Sequence, residues 1–316
     1  MATAGTFSTM RTNRLGSNGP EMSVIGYGAW EAGGDAWGPN ESDDTVIAAM
    51  REALDVGITW IDTAEVYGMG TSETLVGRAI IGRRDEVLIA SKVAPADAGS
   101  GFRPAEIRGA CVASLARLGI ETIDLYQLHW PDPFDTPVED SWGAMCDLQD
   151  AGMVRFIGVS NFDQALIERC ERLRHVDSLQ QEFSMLHLDD RELIRWCGRN
   201  GTGVVSYSPL AAGLLTGAVR SATFGEGDWR SGAEGANLFG PGNFEGNLAI
   251  VEAMKPVAER LGITLAQLAL AWNVAQQGVT SAIAGSRSPA HVRTNAAAGD
   301  LELDDGTLAE LEGLLL

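Results

Sequence analysis

Gly57-Ile-Thr-Trp-Ile61, Val87-Leu-Ile-Ala-Ser91 and Ile123-Asp-Leu-Tyr-Gln-Leu128 are the stretches whose reading decides the fold. Each has the length and the apolar, partly β-branched content of a buried strand. Each also exits onto a polar group. Asp62 follows the first run with Tyr67 shortly after it, Lys92 follows the second, and His129 follows the third. If the strands are parallel, their carboxyl ends share one face, and a carboxylate, a phenol, an ammonium and an imidazole converge on it. Such a set can move protons.

Working outward, the same alternation of short apolar runs and longer amphipathic segments fills the chain, which is the mark of βα units and a parallel sheet. Strands are expected at Ser23–Tyr27, Ile58–Asp62, Val87–Lys92, Ile123–His129, Phe156–Ser160, Ser178–Gln181, Gly203–Tyr207 and Thr280–Ala284. Helix starts are visible at Ser42-Asp-Asp-Thr before Val46, at Thr71-Ser-Glu before Leu75, and at Ser288-Pro289, with proline at the first helical position. Eight strands with interleaved helices predict an α/β fold, a (β/α)8 TIM barrel, which typically needs about 250 residues. A doubly wound sheet is the rival. Gly26-Tyr-Gly28-Ala-Trp-Glu31 begins like a dinucleotide fingerprint but has Glu31 where the third glycine belongs, so it does not support that rival.

The whole chain, 1–316, reads as one barrel domain with three additions. Met10–Leu15 and Met22–Ile25 flank Gly16-Ser-Asn-Gly19 and predict an N-terminal β-hairpin plugging the barrel's bottom. Leu301–Leu316 predicts a closing helix. Pro209–Gly246 is glycine-rich, aperiodic, and carries Phe224, Trp229, Phe239 and Phe244. Long loops of this kind are usually functional or disordered, and the aromatics favour a lid over the active face.

Composition narrows the function. The 316 residues are 45% hydrophobic, ample for a core, with no apolar run near the ~20 residues that span a bilayer. Met1-Ala-Thr-Ala-Gly-Thr-Phe7 lacks the basic-then-apolar pattern of a secretory leader, so a soluble cytoplasmic protein is expected. A net charge of −20 argues against nucleic acid or an anionic membrane as partner. Cys111, Cys146, Cys170 and Cys197 are widely spaced in helical stretches, which predicts packed free thiols and no metal site. Lysine is rare: Lys92 and Lys255 stand against 21 arginines. Arginine cannot share its proton, whereas lysine shifts its pKa readily, so a lysine retained at a strand end points to lysine chemistry.

The four groups suit reduction of a carbonyl, which needs a proton delivered to oxygen. Tyrosine is a weak acid, and an ammonium within ~4 Å favours its ionised form by up to ~4 kcal/mol before desolvation offsets it. Asp62 would hold Lys92, and His129 would donate a hydrogen bond to the substrate oxygen. Asp62-Thr-Ala-Glu-Val-Tyr67-Gly68, Ala90-Ser-Lys92 and Leu128-His129-Trp130 together resemble the aldo-keto reductase family, and the similarity runs over nearly the whole chain. The resemblance implies that Asp62, Tyr67, Lys92 and His129 are catalytic. It implies a nicotinamide held by Ser160, Asn161 and Gln180, with Tyr207 stacked beneath it in the motif Tyr207-Ser208-Pro-Leu210. It also implies that Gly285, Ser286 and Arg287 bind the phosphates, Arg287 reading the 2′-phosphate of NADP(H), with His291 and Asn295 at the adenosine end. Thr294 departs from the acidic adenine contact of many relatives.

Trp30, Trp130 and Phe162 follow strands on the same face and are expected to line the substrate pocket. Glu65, His175 and His187 are read as solvent-facing or structural. The partner expected is a small-molecule carbonyl or alcohol, and no metal is needed. Two rivals stay open: a cofactor-binding regulatory subunit resembling potassium-channel β subunits, and a hydrolase using Asp62 and Glu65, which leaves Tyr67 and Lys92 unexplained.

Overall fold

Eight parallel strands close on themselves in the computed structural model, which describes residues 10–34, 36–38, 40, 42–95, 102–134, 136–225 and 227–315. They are β3 (Ile25–Gly28), β4 (Trp60–Asp62), β5 (Leu88–Val93), β6 (Ile123–Leu128), β7 (Val154–Ser160), β8 (Ser178–Glu182), β9 (Gly203–Tyr207) and β10 (Val279–Gly285), preceded by a hairpin of β1 (Thr12–Arg14) and β2 (Glu21–Ser23). Each barrel strand pairs with the next, and β10 returns to β3. The doubly wound alternative is thereby excluded. Helices α1 (Asp43–Asp55), α2 (Thr71–Ala79), α3 (Pro104–Leu118), α4 (Val138–Asp150), α5 (Gln164–Glu171) and α6 (Arg191–Arg199) follow β3 to β8 in turn. After β9 come α7 (Ala236–Phe239), α8 (Asn243–Leu261) and α9 (Leu265–Val274), and after β10 come α10 (Pro289–Ala296) and the closing α11 (Asp305–Gly313). The leader reading at Met1–Phe7 and Leu316 of the expected last helix lie outside the described residues.

The strands differ from expectation mainly at their ends. Strand β4 starts at Trp60, not Ile58, because the Ile58 amide is spent on Ala53 O at 2.9 Å, closing α1. Ser23, expected in the first barrel strand, belongs to the hairpin instead. Pro209–Gly246 is not a structureless loop: it contains 3-10 turns at Ala211–Thr216, Trp229–Ser231 and Ala233–Gly235, then α7 and the start of α8, which the Glu245 carboxylate caps at the Gly242 amide. Isolated glycines in this segment masked that order.

Two-residue periodicity sorts the side chains. One set packs outward under the helices; the other fills the lumen, where Trp60, Ala90, Leu125, Val205 and Ile283 form an apolar cluster with Leu15 and Met22 of the hairpin. The hairpin thus plugs the amino-terminal end, as expected. Trp60 lies so flat across β3 that a Cβ on Gly26 would come within 2.1 Å of its ring, and its indole Nε1 donates to Ser23 O and Ser281 Oγ. One step further along the same strands the lumen turns polar, because the residue two beyond Trp60 is Asp62 and the residue two beyond Ala90 is Lys92. The four cysteines are free and buried. Among the described residues no helix is long and apolar enough to cross a membrane, and no cluster of metal-ligating side chains occurs.

Leu15 is 1% exposed. Leu15→Ala should cost about 2–5 kcal/mol through lost burial and the cavity left behind. Arg14→Ala, which breaks only an exposed pair with Glu21, should leave the urea midpoint nearly unchanged. Equal midpoints for the two variants would show that the hairpin does not seal the lumen.

Candidate active site

The polar end of the lumen opens into a cavity of about 830 Å³. Asp62 and Lys92 come from the ends of β4 and β5, His129 follows β6, and Tyr67 sits on the turn between β4 and α2. Lys92 is wholly buried, and each of its three ammonium protons has an acceptor: Asp62 Oδ2 at 2.7 Å, Thr63 O at 2.9 Å and Tyr67 Oη at 3.1 Å. An ammonium has three donors and no acceptor, so its hydrogen bonding is complete. Asp62 is held from the other side by Gln180, whose Nε2 donates to Oδ1 at 2.8 Å across the barrel.

The charge states follow from these contacts. Burial works against the Lys92 ammonium, but the Asp62 carboxylate and the Tyr67 oxygen outweigh it and hold its pKa above the ordinary value. At Tyr67 the desolvation expected to offset the ammonium outweighs it. Burial raises its pKa by more than Lys92 lowers it, with Asp62 adding to the rise, so the phenol stays protonated. Desolvation is the larger effect because the hydroxyl is enclosed along with its partner. His129 is driven well below 6.5 by burial first and by Lys92 second, so its ring is neutral. Its Nδ1 is buried without a hydrogen-bond partner among the described residues, while its ring lines the cavity 5.6 Å from that of Tyr67.

Along the cavity, Asn161 ties three elements together. Its Nδ2 donates to His129 O and Ser160 Oγ, both at 3.0 Å, and its Oδ1 accepts from Tyr207 Oη at 2.8 Å. Asn161, Ser208, Ala211 and Ala212 all have positive φ, and all but Ala211 line the cavity. Non-glycine residues in that region are strained and collect at functional sites. The cavity is also lined by Leu210, Gly285, Ser286, Arg287, His291, Thr294 and Asn295. Ser286 Oγ takes the Ser288 amide at 3.1 Å just before α10 begins at Pro289.

Of the expected pocket aromatics, Trp30 and Trp130 line the cavity, the latter 4.5 Å from the His129 ring. Phe162 does not. It is 2% exposed and packs in the hydrophobic core, the chain having turned through the left-handed Asn161 just before it. Glu65 is likewise not solvent-facing: Oε1 accepts the Ala94 amide at 2.9 Å, Arg117 lies 3.8 Å away, and burial raises its pKa. Sequence reasoning missed Glu31, Trp37, Arg230 and Glu234 as lining residues. The Trp30 ring meets those of Trp37 and Trp229 at 5.3 and 5.4 Å, and the Arg230 guanidinium lies 5.0 Å from Trp37. The signal available was the aromatic content of 209–246; its distant partners Trp30 and Trp37 were not visible.

Comparison with known proteins agrees with this geometry. Residues 24–315 match the family model described as Aldo/keto reductase family. The aldo-keto reductase YhdN of Bacillus subtilis is 37% identical over 292 residues, covering 89% of this chain and 86% of that protein. An Escherichia coli protein named NADH-specific methylglyoxal reductase is 32% identical, covering 94% and 95%. A Klebsiella pneumoniae aldo/keto reductase, solved with NADP and acetate, is 33% identical with a TM-score of 0.74, over 96% of this chain and 95% of that one. With a family match across the closed barrel and its polar end, this chain belongs to the aldo/keto reductase family.

Proposed function

We propose that the chain reduces an aldehyde or ketone to an alcohol, and runs the reverse oxidation, with Tyr67 as the proton donor. The observation that carries this reading is the direction of one hydrogen bond. Tyr67 Oη accepts from Lys92, so the phenol's own proton is left for a substrate oxygen in the cavity. As that proton leaves, the nascent tyrosinate stays beside the ammonium, which stabilises the developing charge where it forms. Asp62 keeps Lys92 charged and in place, and Gln180 keeps Asp62 in place. His129, held neutral, would carry its proton on Nε2 and donate it to the same oxygen.

We read the cavity as a site for NADP(H), which when bound supplies or accepts the hydride. The residues present fit such a group: the cavity runs from Tyr67 to Asn295, and its volume suits a large ligand. Ser160, Asn161, Gln180 and Tyr207 would hold the nicotinamide, Ser208 and Leu210 the middle of the molecule, and Gly285, Ser286 and Arg287 the phosphates, with His291 and Asn295 beside the adenosine. Relatives include both an NADH-specific enzyme and an NADP complex, and Arg287 is what favours the phosphorylated form here. Residues 209–246 serve as the lid, since Pro209, Leu210, Arg230 and Glu234 line the cavity and Trp229 reaches Trp30 beside Tyr67. Trp30 and Trp130 would flank a small carbonyl such as a 2-oxoaldehyde, the substrate type named for one relative.

Tyr67→Phe should lower substrate-dependent NADPH consumption, across a panel of aldehydes and ketones, by roughly 10²-fold or more. Cofactor binding followed by fluorescence should survive. Equal rates in both proteins would overturn the proton-donor role, and consumption by neither would overturn the reductase reading.

His129 also makes a stability prediction. Its pKa is depressed in the folded state, so the unfolded chain binds the proton first as pH falls below about 6.5. Its contribution to stability is full above that value and declines as pH drops toward the folded pKa. Between pH 7 and 5 the urea midpoint of the wild type should therefore fall more than that of His129→Asn; parallel curves would mean that His129 titrates normally.

A further inference from the structure

We propose that Glu31 sets the cofactor selectivity of the site by placing a carboxylate beside Arg287, so that a 2′-phosphate is opposed and a 2′-hydroxyl is accommodated. The inference rests on the reading of the cavity as a nicotinamide dinucleotide site. Glu31 opens the 3-10 turn Glu31–Gly33 after β3 and lines the same end of the cavity as Ser286, Arg287 and His291. Its Oε2 lies 3.9 Å from Arg287 Nε. The carboxylate sits over the end of β10, where a Cβ on Gly285 would be 3.6 Å from Oε1.

The guanidinium is surrounded by acceptors from the same segment. Nη1 donates to Gly38 O at 3.0 Å and to Asn40 Oδ1 at 3.3 Å, and Nη2 donates to Trp37 O at 3.1 Å. Asn40 is itself fixed, its Nδ2 donating to Ala32 O at 2.8 Å. Trp37, Gly38 and Asn40 therefore position Arg287, and Glu31 sets a negative charge beside it. A dianionic phosphate drawn to this arginine meets Glu31 at short range, and the like charges cost part of what the arginine contributes. A ribose hydroxyl meets no repulsion and can donate to the carboxylate, the way an acidic residue selects NAD(H) in other dinucleotide folds. The site holds an arginine that favours phosphate and a glutamate that disfavours it, so both cofactors should bind.

The test is binding, not turnover. Dissociation constants for NADP+, NAD+, 2′,5′-ADP and 5′-AMP would be measured by calorimetry on the wild type, Glu31→Gln and Glu31→Ala. Removal of the charge should tighten NADP+ and 2′,5′-ADP about tenfold, as expected for one like charge taken from a partly enclosed site. NAD+ and 5′-AMP should be unchanged or weaker in both variants. A merely structural glutamate would shift all four ligands together, and that result, or an unchanged NADP+ to NAD+ ratio, would overturn the inference while leaving the reductase reading intact. Failure of the wild type to bind either dinucleotide would overturn both.

Discussion

Everything at the polar end of this barrel depends on the burial of one ammonium. Taking Lys92 out of water costs several kcal/mol, a cost met only when the paired charge is close and every proton has an acceptor. Asp62, Thr63 and Tyr67 supply those acceptors, and Gln180 satisfies the carboxylate's other oxygen. Three strands and the β4 to α2 turn are thereby committed to one geometry. In this arrangement Tyr67 Oη accepts from Lys92, and the ammonium keeps His129 neutral by adding a positive charge to an already desolvated ring.

The lumen explains how such a group can be held without water entering from below. Along β4, β5 and β6 the same face carries an apolar residue first and a polar one two positions later, so Trp60 and Ala90 floor the site that Asp62 and Lys92 build. Leu15 and Met22 of the hairpin close that floor. An enclosed, low-dielectric setting strengthens the ion pair and equally raises the cost of losing it. The same enclosure defeats simple pair arithmetic at Tyr67: the ammonium does lower the phenol's pKa, yet burial raises it further.

Much of this was legible in the chain. Period-two strands, helix starts at Ser42 and Pro289, and polar residues at strand exits all carry local signals that survive folding. What was not legible depended on contacts between distant segments. Gln180 reaches Asp62 across 118 positions, and Trp229 meets Trp30 through the inserted segment, with no marker in either neighbourhood. Phe162 follows a strand exit as Trp130 does, but the left-handed backbone at Asn161 precedes it and its ring lies in the core. Glu65 was misjudged for a related reason, since its partners Ala94 and Arg117 belong to β5's exit and to α3.

A chain of net charge −20 must still attract an anion if it binds a dinucleotide. Distant surface carboxylates matter little, because beyond roughly 8 Å they are screened at physiological salt. What counts is the composition of the cavity wall, to which Arg230, Arg287, Glu31 and Glu234 contribute, Arg230 being paired with Asp228 at 2.6 Å and Arg287 lying 3.9 Å from Glu31. Each of the two arginines therefore has a carboxylate beside it, and the one at position 31 weighs directly on Arg287. A chain rich in arginine could have left Arg287 without an opposing charge; by keeping the Glu31 carboxylate 3.9 Å from it, it has not.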